Sequence, residues 1–200
     1  NVEILPNQVV ENINFLLSEG KLQANNTKIF ENSLYFAEDG IHQRLNKLAN
    51  RIGDKLDTYK FDSIIKEVEA DLEIQYDSLQ KDAIYKALTH QFFILTGGPG
   101  TGKTTVIKGI IRAYAALHKV DLNPDNYTDD VFPIVQVAPT GRAARRMNEL
   151  TGLPAATIHR QLGLNSDDLE DDFGNDLSGS LLIVDEFSMV DTWLANKLFA

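Results

Sequence analysis

The stretch "FILTGGPGTGKTTV", Phe93–Val106, decides how the rest of the chain is read. An apolar run breaks into glycines and then meets a lysine and two threonines. Its centre, Gly97–Thr104, satisfies G-x-x-x-x-G-K-[ST] in full. Glycines at Gly97, Gly98, Gly100 and Gly102 let successive backbone N–H groups curl around an anion. A helix starting after them adds its partial positive charge. In this reading Gly97, Gly98, Pro99, Gly100, Thr101, Gly102, Lys103, Thr104 and Thr105 hold a nucleotide. Lys103 reaches the β- and γ-phosphates, and the Thr104 hydroxyl binds Mg²⁺. A dinucleotide fold is excluded, because no glycine falls in the G-x-G-x-x-G register.

Working outward, "FFILT" before the loop predicts a β-strand, and the helix after Gly102 continues to about His118. "PIVQVA" is a second strand and "LLIVDE" a third. Strands this apolar, alternating with helices, predict a parallel sheet covered on both faces, an α/β fold of the P-loop NTPase type. Lys119–Pro133 and the acidic Asn165–Ser180 stretch are surface insertions. "LLIVDEFSM" supplies the second element that hydrolysis needs: Asp185 to hold the metal through its water shell, and Glu186 to orient and deprotonate water. Binding alone would require only the glycine loop.

Upstream, apolar stripes predict helices. Val9, Ile13 and Leu16 share a face that ends at Gly20. Ile41, Leu45, Leu48 and Ile52 share another, closed by Gly53. A further helix carries Phe61, Ile64, Ile65 and Val68. Short strands around Lys28–Phe30 and Leu34–Phe36 suggest a small wing-like ribbon, so residues 1–75 are expected to form a mainly helical, winged-helix-like region before a lobe at 76–200.

Three further segments choose among nucleotide-driven proteins. In "SLQKDAIYKAL", Gln80 resembles the glutamine of the helicase Q motif, which reads the adenine edge; it also stands three residues after Asp77, as a capping box requires. "VAPTGRAARRM" follows the second strand with Pro139, Thr140, Gly141 and Arg142, offering a hydroxyl, N–H groups and cations to a DNA phosphate, or simply a helix cap with a basic face. "ATIHRQLG" adds Thr157 and His159. In order, these segments resemble the RecD-like branch of superfamily 1 DNA helicases, the exodeoxyribonuclease V alpha subunit family. The resemblance implies two RecA-like lobes, ATP with Mg²⁺, 5′→3′ movement on single-stranded DNA, and partners among recombination and repair proteins. It makes Pro139, Thr140, Gly141, Arg142, Thr157 and His159 DNA contacts. It also implies that the second lobe, its arginine finger and a G-D-x-x-Q-L segment lie beyond Ala200.

Composition narrows the classes. Net charge is −10 over 200 residues, against a generally basic nucleic-acid coat. Residues 1–80 carry 14 acids and 8 bases, net −6, and residues 81–200 carry 15 and 11, net −4. Six of those 15 acids lie between Asp167 and Asp176, a run expected to repel DNA rather than cut it. There is no cysteine for a disulfide or thiolate site, and the four histidines lack ligand spacing. No run approaches the roughly 18 apolar residues of a membrane span, so a cytoplasmic protein is expected. Rival expectations are a protein-remodelling AAA+ ATPase and a non-catalytic binding module.

Overall fold

The computed structural model describes residues 5–51, 53, 55–98, 100–127, 131–164 and 181–200. Ile52, Pro99 and the acidic run Asp167–Asp176 lie outside them. In chain order the elements are α1 (Pro6–Ser18), β1 (Leu22–Asn25), β2 (Lys28–Glu31), α2 (Asn32–Ala49), α3 (Thr58–Asp71), α4 (Ser78–Thr89) and α5 (Lys103–His118). There follow β3 (Ile134–Ala138), α6 (Gly141–Thr151), β4 (Ala156–Thr157), α7 (Ile158–Gln161), β5 (Leu181–Val184) and α8 (Thr192–Leu198). The chain divides into two compact units, residues 1–45 with 191–200, and residues 46–190.

In the first unit, α1 stops where Gly20 adopts φ 69°, with the Gly20 and Lys21 N–H groups returning to Leu17 and Leu16. This left-handed closure is the glycine cap read from the sequence. β1 and β2 form an antiparallel hairpin turning at Asn26, whose φ is 54°. The expected strand at Leu34–Phe36 is instead the start of α2. Its aromatic residues favour a strand, but Glu31 decides the matter locally. That carboxylate accepts from the Ser33 hydroxyl and, at 2.8 Å, from the Leu34 N–H, which satisfies the opening turn of a helix.

The second unit is built on two apolar clusters. Phe61, Ile64, Ile65 and Val68 of α3 pack with Ile84 of α4 and Val106, Ile110 and Ala113 of α5. Asp57 starts α3 by accepting from the Tyr59 N–H at 2.7 Å. The helix with Leu45 and Leu48 ends at Ala49 rather than at Gly53. Gly53 has another reason to be glycine: a Cβ there would overlap the Thr89 carbonyl at the end of α4.

The three-stranded sheet has order β4-β3-β5, all parallel. β3 is buried along its whole length, Gln136 included, as the central strand of a covered parallel sheet should be. Ile107, Ile111 and Tyr114 of α5 share a cluster with Ile134 of β3 and Leu181 and Ile183 of β5, so α5 covers one face. Ala143 and Ala144 of α6 pack on Ala138. The predicted strand "FFILT" has no ladder partner among the described residues. Leu95 still packs on the α3–α5 cluster, while Ile94 stays 69% exposed, so the apolar run persists without the pairing that would make it a strand.

Candidate functional site

Gly97 and Gly98, and again Gly100 to Gly102, lead as loop residues into α5. Gly100 and Gly102 take φ values of 73° and 80°, conformations that a side chain makes costly. At Gly97 a Cβ would stand 2.7 Å from the Thr101 hydroxyl, which would have to turn aside. Thr101 donates to the Gly98 carbonyl at 2.9 Å. The Lys103 ammonium donates to the Gly97 and Gly98 carbonyls at 2.6 Å each, which folds the cation over the loop. The N-cap of α5 is Gly102, without a side-chain cap. By helix geometry the first N–H groups, those of Lys103, Thr104 and Thr105 among them, lack intrahelical acceptors. Loop and helix start together present a cation and a set of donors suited to a polyphosphate.

Gln80 lies beside this loop. Its Oε1 accepts from the Asp77 N–H at 3.1 Å, and its own N–H donates to Asp77 Oδ1 at 2.8 Å, completing the capping box. Its Nε2 is aimed elsewhere: a Cβ built on Gly102 would meet it at 2.8 Å. The amide therefore caps α4 with its oxygen and turns its two N–H donors toward the phosphate loop.

Parallel registry gathers the other predicted residues along one sheet edge. Val137 pairs with both Ala156 and Val184, and Ala138 with Thr157, so the three strands end side by side. Asp185 follows β5 there, its N–H donating to the Val137 carbonyl at 3.0 Å. Asp185 Oδ1 accepts from the Glu186 N–H at 2.9 Å. Glu186 has φ 52°, a left-handed backbone costing an ordinary residue about 1–2 kcal/mol. Its side chain is exposed.

At the end of β3, Pro139 and Thr140 lead into α6, and Thr140 Oγ1 accepts from the Ala143 N–H at 3.2 Å. Thr157 caps α7 in the same way, through the Arg160 N–H at 3.2 Å. Each hydroxyl thus spends an acceptor on its helix and keeps its proton to donate. Gly141 has an ordinary negative φ, and nothing lies within 4 Å of a Cβ built on it, so the fold itself does not require glycine. Between α6 and β4–α7 runs a groove of about 290 Å³ lined by Gly141, Arg145, Asn148, Ala156, Thr157 and Arg160. Arg142 and His159 are exposed nearby in sequence. Asn148 and Arg160 were not singled out as contacts in the sequence; the only signal for Arg160 was its place just after Thr157 and His159, and for Asn148 its spacing on the arginine-rich helix.

Residues 80–200 match the AAA domain family. Among relatives, the chain is 37% identical over 111 residues to the ATP-dependent RecD2 DNA helicase of Deinococcus radiodurans, which covers 56% of this chain and 14% of that protein. It is 30% identical over 189 residues to the RecBCD enzyme subunit RecD of Haemophilus influenzae, covering 83% of this chain and 25% of that protein. A third relative, the RecBCD enzyme subunit RecD of Mycolicibacterium smegmatis, is 33% identical over 60% of this chain and 24% of its own length. The chain thus spans a quarter or less of each of these three relatives.

Proposed function

The chain belongs to the RecD-like helicases, with the α/β fold of a P-loop NTPase, and on that premise we propose that residues 76–200 are the first lobe of an ATP-driven motor on single-stranded DNA. Residues 1–75 form its helical appendage. The observation that most supports the reading is the shared strand edge, which puts Asp185, Thr140 and Thr157 at the ends of three adjacent parallel strands. In open α/β sheets this is the edge where ligands bind.

Gln80 reads the adenine edge, the second lone pair of its Oε1 accepting from the 6-amino group and its Nε2 donating to the neighbouring ring nitrogen, while Lys103 and the first turn of α5 bind the phosphates. For Mg²⁺ the donors suit a hard cation that takes oxygens and completes its shell with phosphate and water: the Thr104 hydroxyl and the Asp185 carboxylate. No group of three His, Cys, Asp or Glu side chains forms a protein-only metal cluster among the described residues. When bound, the metal supplies neutralisation of phosphate charge. Glu186, exposed beside Asp185, acts as general base toward the attacking water. Thr140, Gly141, Arg142, Thr157 and His159 grip the DNA backbone, and closure against a second lobe converts hydrolysis into 5′→3′ steps in repair and recombination.

The experiment is ATP turnover by the full-length protein, with and without single-stranded DNA. Stimulation by DNA and a fall of roughly 100-fold or more in Glu186→Gln, with ATP binding retained, agree with the motor. Turnover indifferent to DNA would favour a protein-remodelling ATPase. A 5′-tailed duplex that is not unwound in preference to a 3′-tailed one would remove the polarity.

A further inference from the structure

Just before Gln80, Tyr76 is 5% exposed and sits in the α3–α5 cluster, yet it carries a hydroxyl. That hydroxyl donates to the Thr105 carbonyl in the first turn of α5 at 3.1 Å. Burial, reinforced by the nearby Glu69 carboxylate, pushes its pKa up to about 12, so it remains a donor. The bond needs α5 to come unusually close. Gly109, one turn on, permits it: a Cβ there would stand 2.6 Å from the Tyr76 hydroxyl and 2.6 Å from Ile84 Cδ1. Glycine within a helix costs about 1 kcal/mol against alanine, so close approach has been favoured over helix propensity.

The backbone of Tyr76 is held from the other side. Its N–H donates to Glu69 Oε1 at 2.8 Å, and Glu69 pairs with Lys81 at 2.9 Å. Burial raises the Glu69 pKa, but the Lys81 ammonium and the Tyr76 N–H outweigh it and keep the carboxyl below its ordinary value. Lys81 is the residue after Gln80, and Asp77, which caps α4 through Gln80, is the residue after Tyr76. One chain of contacts therefore runs from Glu69 of α3 through Tyr76 to Thr105 of α5; Gln80 stands beside it, bonded to Asp77, with its Nε2 facing Gly102.

From this we infer that Tyr76, with Glu69, Lys81 and Gly109, is a positioning device that holds the Gln80 amide beside the phosphate loop, so that Tyr76 acts on selection of the nucleotide base through Gln80. The inference rests on the reading of Gln80 as the adenine contact. Loss of the hydroxyl lets the start of α4 shift relative to α5, which weakens base recognition without removing any phosphate contact.

The test is equilibrium binding of Mg·ATP and Mg·ITP to the full-length protein and its Gln80→Ala, Tyr76→Phe and Gly109→Ala variants, beside thermal unfolding. ITP keeps the triphosphate but replaces the adenine amino group. The expected result is a preference for ATP that falls about 5-fold in Tyr76→Phe, the scale of one neutral hydrogen bond, with ITP affinity nearly unchanged. Gly109→Ala gives the same fall, through crowding of the hydroxyl. A lower melting temperature in Tyr76→Phe with the ATP/ITP ratio intact, or equal weakening of both nucleotides, overturns the positioning role. If Gln80→Ala lowers the ratio but Tyr76→Phe does not, only that role fails. An unchanged ratio in Gln80→Ala overturns the adenine reading and the inference with it.

Discussion

Two helices start beside the sheet, α5 after the glycine loop and α6 after β3, and they begin in opposite ways. α5 is preceded by Gly102 and has no side-chain cap, so its first donors are left for a ligand. α6 is capped by its own Thr140. An uncapped start with a lysine folded over it suits tight capture of a multiply charged phosphate. A self-capped start, offering one hydroxyl proton and flanking arginines, suits a weaker grip on a single backbone phosphate, one that a motor has to release at each step. On the proposed reading, the same local geometry serves two ligands according to what fills the N-cap.

The contrast can be broken most severely at Lys103. Lys103→Ala should weaken Mg·ATP binding on the order of 100-fold, the scale of charge-assisted hydrogen bonds to phosphate, while leaving oligonucleotide affinity unchanged in a fluorescence titration. Next comes Gly102→Ala, which forces a side chain to φ 80° against Gln80 Nε2. It should cost about 1–2 kcal/mol of stability and weaken ATP binding about 10-fold, read by chemical denaturation and calorimetry. At the other helix, Arg145→Ala and Arg160→Ala should each lower single-stranded DNA affinity. Each should reduce the slope of log affinity against log salt by roughly 0.7, with ATP binding intact. The smallest effect sharpens the comparison instead: Gly141→Ala should raise stability by about 0.5 kcal/mol and yet weaken DNA binding. A rise in both would mean that no backbone approaches Gly141.

Much of this contrast is legible in the sequence, because the glycine loop, "APTGRAA" and "LLIVDE" are local signals whose meaning depends on short spacings. The ends of β3, α5 and β5 fall where those segments place them. What fails is pairing and context. "FFILT" has the composition of a strand, but strand pairing needs a neighbour that composition cannot name. Leu34–Phe36 looks like a strand until Glu31 caps the turn before it. Gly53 reads as a helix end and is in fact a close approach to α4. Within the candidate site, the capping of α4 by Gln80 is legible from its spacing to Asp77. The brace through Tyr76 and Gly109 is not, since residues 33 positions apart meet only when α4 and α5 pack.

The most direct test of two separate grips is a paired calorimetric titration of Mg·ATP and a thymidine oligonucleotide into the wild-type protein, Lys103→Ala and the double variant Arg145→Ala/Arg160→Ala. The account predicts that Lys103→Ala loses the nucleotide and keeps the oligonucleotide, and that the double variant does the reverse. Loss of both ligands in either folded variant, or unchanged oligonucleotide binding in the double variant, would contradict it.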